Sequence, residues 1–249
     1  MIRATFVYLF IGIYVFLLTP VGRIWKFFTG SAHLLFILTR FCILIAGWLA
    51  GVRVEVEGRE HLATVKTCVF LSNHQGNFDG PVLLHVTGWD LRALIKKEMM
   101  RLPLLSWVLK GTDYVPLDRT NPRQARVGIN QAVTMLRKGI SFFAFPEGTR
   151  SRDGSLGVFR KGAFIMAIQA QVPIVPVTIR NSAVIQPPGC YSIHPGRIHI
   201  VIHAPISTQG MAIEDRNPLI QQTRAAIASA LPDPVIQNQS MEYDKFENL

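Results

Sequence analysis

The pair of side chains best suited to acid–base chemistry in this chain is His74 and Asp79, five residues apart in Ser72-Asn73-His74-Gln75-Gly76-Asn77-Phe78-Asp79. An apolar run at 67–71 precedes them and reads as a short buried strand, while Gly80-Pro81 and the apolar residues 82–86 behind them suit a helix. His74 therefore falls where a strand stops, the place where α/β folds build sites. Gly76 and Asn77 lie in a turn between the two, so the loop can fold back and bring the carboxylate to the imidazole. A carboxylate in that position holds the ring and stabilises the imidazolium formed when histidine accepts a proton. No serine or cysteine occupies a strand-to-helix elbow. The chemistry on offer is direct: His74 removes a proton from a substrate hydroxyl, which then attacks an acyl carbonyl. A lone H-x4-D is also what a loop histidine beside a helix cap looks like, so the remaining blocks have to decide.

A second polar block, Pro146-Glu147-Gly148-Thr149-Arg150-Ser151, follows the continuous apolar strand 140–145. Glycine there lets a ligand approach the backbone, and arginine can grip a phosphate with two parallel hydrogen bonds. Glu147 can accept from a substrate hydroxyl. Read alone, this is also a turn ahead of a solvated arginine. The two blocks together, about seventy residues apart, resemble the signature blocks of the glycerophospholipid acyltransferase family. Asn73-His74-Gln75-x-x-x-Asp79 is similar to its first block and Phe145-Pro-Glu-Gly-Thr-Arg-Ser151 to its third. Two looser similarities join them: Val172-Pro-Ile-Val-Pro-Val177 to the fourth block and Leu117-Asp118-Arg119 to the end of the second. The second block departs from the family pattern, with its glycine displaced to Gly111 and Pro116 in the apolar run, so Gly111 is not carried over.

The resemblance covers residues 60–180. It implies a glycerol-3-phosphate acyltransferase-like domain and acyl transfer to a lysophospholipid, with lysophosphatidic acid giving phosphatidic acid as the leading reaction. The donor would be acyl-CoA or acyl-carrier protein, with no cofactor and no metal. It makes His74 the general base and Asp79 its orienting partner. Lys96, Arg119, Glu147, Gly148, Thr149 and Arg150 become substrate-binding residues, with Lys97 the alternative to Lys96 and Lys161 a weaker cation. Glycerol-3-phosphate, a lyso-aminolipid or another lysophospholipid remain alternative acceptors. A protein that only binds anionic lipid is the rival from another class.

Residues 52–57 alternate apolar and charged side chains, as a half-exposed strand does, and end at Gly58. Strands are expected at 91–95, 114–117, 172–179 and 197–203, the prolines of 172–179 suiting an edge or a strand end. Helices are expected at 104–110, 122–138 (opening on Pro122), 159–170 and 217–231. Alternating strands and helices give one α/β domain over 52–231 with a largely parallel sheet flanked by helices. Residues 1–51 form a membrane-associated helical hairpin and 232–249 a polar tail.

Mean hydropathy is +0.27, and the excess lies in the first fifty residues. Residues 4–22 carry no charge, close to the ~20 a spanning helix needs. Arg23 and Lys26 interrupt, and a second apolar helix at 32–50 holds Arg40 near its middle, where a bilayer would charge it at least ~2.5 kcal/mol. Three arrangements fit: two spans with Arg40 snorkelling or facing the partner helix, a pair dipping into one leaflet, or a buried pair covering the domain. No A-x-A-like site follows the apolar run, which argues against a cleaved signal peptide.

The net charge is +10, and residues 92–161 hold 14 Lys/Arg against 5 Asp/Glu, which is +9 of it. No nucleic-acid motif accompanies that charge, so an anionic membrane and a phosphorylated substrate are the expected partners, not nucleic acid. Cys42, Cys68 and Cys190 have no paired or metal-like spacing and lie in or beside apolar segments. They read as reduced, structural and cytosol-facing. The expected location is a membrane, the inner one in a bacterium, with the catalytic domain toward the cytoplasm. No dinucleotide fingerprint or P-loop is present.

Overall fold

The computed structural model describes residues 2–118, 120–151, 154–187 and 189–232, with backbone alone for residues 103 and 104. Arg119 and all but the first residue of the expected 232–249 tail lie outside the described residues. The element order is α1 (Ile2–Thr29), α2 (His33–Ala50), β1 (Val52–Glu57), β2 (Val69–Ser72), α3 (Asp79–Thr87), β3 (Arg92–Lys96), α4 (Pro103–Gly111), β4 (Val115–Leu117), α5 (Pro122–Arg137), β5 (Phe142–Ala144), α6 (Gly162–Ala170), β6 (Ile174–Arg180), α7 (Ser182–Ile185), β7 (Gly196–Ile202) and α8 (Arg216–Ser229). Seven strands form one sheet in the order β1-β7-β6-β2-β5-β3-β4, parallel except at β6–β7.

The strand sequences explain their depth. In β2 every residue is buried, with Val69 and Leu71 in the core on one face of the sheet and Phe70 in the core on the other. A parallel strand covered on both sides reads as a continuous apolar run for that reason. The edge strand β1 instead alternates half-buried Val52, Val54 and Val56 faces with charged ones. Gly58 ends it at φ +77°, where a Cβ would lie 2.0 Å from the Ile202 carbonyl oxygen, so no other residue fits. One layer on the sheet comprises α1 to α4 and α7; the opposite layer comprises α5, α6 and α8.

Three expectations change. Strand β6 is the third of seven, not an edge, and carries Pro176 inside it. The proline fits because its missing N–H falls at a gap in the ladder. The β7 pairing ends at Val177↔Ile202, and pairing resumes only at the Ile174↔Ile206 bridge. Across that gap the Pro176 carbonyl still accepts from His203 N at 3.0 Å. Cys190 is exposed rather than structural, while Cys42 and Cys68 are buried; all three are free.

Helix α1 does not stop near Gly22 but runs through Pro20, Arg23 and Lys26 to Thr29. Tertiary anchors outweigh the missing proline donor. Phe16 packs on Trp107 before the proline, and after it Arg23 donates to the Trp107 carbonyl at 3.3 Å. Lys26 then donates to the Gly111 carbonyl at 3.0 Å and pairs with Asp113. At the other end of α1, Tyr8 accepts from Gln186 and packs on Tyr191 with the two rings tilted by 31°. Helix α2 packs on α1 and is tied down by Arg40 and His33, which meet the Asp90 carboxylate at 3.0 and 2.6 Å. Arg40 thus faces the α/β domain rather than lipid or α1. Ile2, Phe6, Leu9, Ile13, Phe16, Leu17, Ile24, Trp25, Phe27, Phe28, Phe41, Leu44 and Trp48 remain exposed along the pair.

Candidate active site

The carboxyl ends of β2, β5, β3 and β4 share one edge of the sheet. In register, Leu71 lies beside Ala144 and Lys96 beside Leu117. The loops leaving these strands therefore bring the His74 block, the Glu147 block and Lys96 to that edge. His74 and the Glu147 block come into direct contact; Lys96 shares the edge, and among the described residues its ion pair is with Glu98.

His74 Nδ1 is 2.7 Å from Asp79 Oδ2. A carboxylate oxygen only accepts, so Nδ1 carries the proton and Nε2 is left as the basic nitrogen. The same Asp79 oxygen accepts from Gln75 N at 2.7 Å and Gly76 N at 2.8 Å. Asp79 is fully buried at the first turn of α3, and its side chain thereby closes the loop that precedes the helix. The imidazole stacks on Phe145, centroids 4.0 Å apart and planes 12° from parallel. Ring rotation is thus limited on one face by Phe145 and at one edge by Asp79.

Gly76 is required by close approach: a Cβ there would lie 2.6 Å from the Ser182 carbonyl oxygen. Asn73 supplies the other half of that junction. Its side chain donates to the Ile179 carbonyl at 2.7 Å and accepts from Ile179 N at 2.8 Å, copying a ladder pair between β2 and β6. Asn73 stands in the first block, where its sequence context alone assigns it no role. The signal available was its type: a buried amide beside the end of a strand must find both a donor and an acceptor.

Glu147 is buried, and both its oxygens meet backbone N–H groups: Oε1 accepts from His74 N at 2.9 Å and Oε2 from Gly157 N at 2.8 Å. Its carboxyl is pushed above the ordinary range by burial, against the lowering effect of those two hydrogen bonds. Glu147, expected as a substrate contact, also braces the two signature blocks. Ser151 N donates to the His74 carbonyl at 2.7 Å, a second tie between them.

Gly148 adopts φ +76° in the turn after β5, where its N–H reaches the Phe145 carbonyl at 3.1 Å. That left-handed position is why a glycine stands there. Arg150 is exposed and donates to the Asn77 side-chain oxygen, again joining the two blocks. Thr149 lines a cleft of about 420 Å³ with Glu147, Ser151, Ser155, Gly157, Val158 and Arg160. Lys96 is exposed and lies 3.9 Å from Glu98. Lys97 is held at 3.3 Å from Asp118, whose carboxyl is lowered to about 2 first by the Thr120 hydroxyl and amide. Of the two lysines, Lys96 is the less committed. Lys161 is exposed at the start of α6.

Residues 53–180 match the family model described as Acyltransferase. The chain is 37% identical over 156 residues to 1-acyl-sn-glycerol-3-phosphate acyltransferase BAT2, chloroplastic, of Brassica napus, covering 62% of this chain and 45% of that one. It is 33% identical over 150 residues to a 1-acyl-sn-glycerol-3-phosphate acyltransferase of Borreliella burgdorferi, covering 60% of each. The chain thus spans about half the length of the plant relative. Its fold matches the crystal structure of the 1-acyl-sn-glycerophosphate (LPA) acyltransferase PlsC from Thermotoga maritima. The TM-score is 0.72 at 23% identity, over 90% of this chain and 94% of that one.

Proposed function

Since the chain belongs to the acyltransferase family, we propose that it transfers a fatty acyl group from a thioester to the free hydroxyl of 1-acylglycerol-3-phosphate, giving phosphatidic acid. The observation that carries this reading is the dyad: His74 held through Nδ1 by a buried aspartate at the carboxyl end of β2. The printed names of the relatives support the acceptor.

In this mechanism Nε2 of His74 accepts the hydroxyl proton as the oxygen attacks the thioester carbonyl, and Asp79 stabilises the imidazolium. The C–S bond then breaks, and the thiolate leaves with the proton that His74 returns. Arg150 and Lys96, with Arg119, neutralise the acceptor phosphate. Thr149 and Gly148 flank the glycerol moiety, and Glu147 acts on it through the loop it braces. Holding both substrates beside one another supplies much of the acceleration. The reading uses no cofactor; the donor is acyl-CoA or acyl-carrier protein.

The helical pair acts as a one-leaflet membrane anchor in the same reading. Tyr8 and Lys26 of α1 both touch the α/β domain. They stand eighteen residues apart, about 27 Å along a helix. A helix crossing the bilayer could not meet one water-facing domain at both ends. Its exposed Phe, Trp, Leu and Ile side chains instead suit insertion into the leaflet on which the domain rests. The free cysteines support a reducing, cytoplasmic side.

The test is acyl transfer by purified protein in mixed micelles, with lysophosphatidic acid and either donor, beside His74→Ala. Phosphatidic acid formed by the wild type and lost in the variant, with lipid binding intact, is the expected outcome. Transfer that survives in His74→Ala overturns the mechanism. A preference for glycerol-3-phosphate or another lysolipid in a competition assay overturns the acceptor.

A further inference from the structure

Helix α5 and the loop before α6 carry a surface that the reaction above leaves unused. Residues 122–137 and 154–161 hold five cations (Arg123, Arg126, Arg137, Arg160 and Lys161) and no acidic residue. Arg123, Arg126, Arg160 and Lys161 are exposed. Two valines stand among them, Val127 67% and Val158 87% exposed. An apolar residue that open is unusual on a helix whose outward positions are mostly polar, and Val127 has Arg123 one turn before it and Arg126 beside it in the chain. The two segments are neighbours: a Cβ on Gly162 would touch Ile129 at 3.5 Å, one turn after Arg126.

The position of this surface narrows what it meets. It belongs to the α5–α6–α8 layer, across the sheet from α1 and α2. A leaflet that takes up the apolar faces of α1 and α2 lies on the other side of the molecule. The surface also reaches the cleft beside Glu147, because Val158 and Arg160 line both, and Glu147 holds the His74 amide. A soluble donor seated on α5 would have the cleft between itself and the His74 loop.

Building on the acyl-transfer reading, we infer that this surface docks the acyl donor in its protein-bound form: an acidic carrier protein bearing the acyl group as a phosphopantetheine thioester. Arg123 and Arg126 face its acidic side chains, Val127 and Val158 pack against its apolar contacts, and the arm enters through the cleft. Charge complementarity carries the choice. Coenzyme A offers phosphates to such cations but nothing for Val127, which lies on α5 away from the cleft lining.

The experiment compares acyl-carrier protein and acyl-CoA of the same chain length, with lysophosphatidic acid as acceptor. The proteins are wild type, Arg123→Glu/Arg126→Glu and Val127→Asp, with folding checked by circular dichroism. The expected result is a KM for acyl-carrier protein raised about tenfold or more in both variants, while kcat/KM for acyl-CoA stays within about twofold. Added salt should depress the carrier-protein reaction more steeply than the acyl-CoA reaction, the behaviour of a steered encounter. Equal effects on both donors, or none, overturn the dock. So does a wild type that uses acyl-CoA but ignores the carrier protein, which leaves the acyl-transfer reading standing. A parallel loss of binding to vesicles containing phosphatidylglycerol assigns the surface to the membrane and overturns it as well. A wild type inactive with both donors on every lysolipid removes the reading beneath it.

Discussion

The two halves of the candidate site are built to different standards. The His74–Asp79 loop is buried and wired: one carboxylate oxygen gathers the imidazole and two backbone N–H groups, Phe145 covers the ring, and Glu147 and Asn73 tie the loop to its neighbours. The cations that would meet the acceptor phosphate, Lys96 and Arg150, are exposed and lightly partnered. The chemical group is fixed before substrate arrives, where reorganisation during the reaction would be costly. The binding groups stay adjustable, as suits a headgroup arriving from a membrane. Changes to the wired half should therefore lower kcat, and changes to the adjustable half should raise KM.

The largest expected effect comes from Asp79→Asn. It keeps the shape but replaces an acceptor that orients Nδ1–H with an amide that can present either end. Turnover should fall by ~10²–10⁴-fold, with KM for lysophosphatidic acid little changed, as steady-state kinetics would read. A rise in KM with kcat preserved would erase the contrast between the halves. Gly76→Ala should follow. Its methyl would drive the loop from the Ser182 carbonyl, and a displacement approaching 1 Å can cost ~10²-fold in rate. A loss in kcat at unchanged KM is the expected reading.

Glu147 tests whether the brace belongs to the wired half. Glu147→Ala leaves the His74 and Gly157 amides without their acceptor, at ~1–3 kcal/mol for each group left unsatisfied. Chemical denaturation should show that loss, and kcat should fall with it. The pH dependence has a defined sign. Burial raises the folded carboxyl's pKa, so the folded chain keeps this proton to higher pH than the unfolded one. The group's contribution is fully present below the ordinary carboxylate range and declines as pH rises through the raised folded value. In Glu147→Gln that decline should vanish from denaturation midpoints taken from the ordinary carboxylate range upward. An unchanged slope would assign the decline to other groups.

What could be read ahead of the structure divides along the same line. Strand β2, its loop and α3 were legible because an apolar run, a polar turn and a second apolar run are local signals. The Glu147 brace was not, because its partner amide lies 73 residues away and a glutamate before a glycine also looks like a ligand contact. Pro176 misled for a related reason: proline usually marks a sheet edge, and only the tertiary gap between the β7 ladder and Ile206 makes room for it. Likewise the charges Arg23, Lys26 and Arg40 read as membrane-flanking until their partners Trp107, Gly111 and Asp90 appeared. Periodicity reports which face of an element is apolar; it does not say what meets the polar groups.

The smallest expected effect, and the one that most sharpens the comparison, is in the adjustable half. Arg150→Ala removes an exposed side chain whose hydrogen bond goes to Asn77 at the rim of the His74 loop. If Arg150 serves the acceptor phosphate, KM for lysophosphatidic acid should rise about tenfold, or ~1.5 kcal/mol, the low end for a hydrogen bond to a charged group. Turnover should be nearly unchanged, and a neutral monoacylglycerol acceptor should be processed equally by both proteins. Arg150→Lys should recover part of the loss, since a point charge remains but the paired geometry does not. If kcat falls instead, and for the neutral acceptor as well, the contact with Asn77 is what matters, and Arg150 belongs with Glu147 in the wiring of the loop.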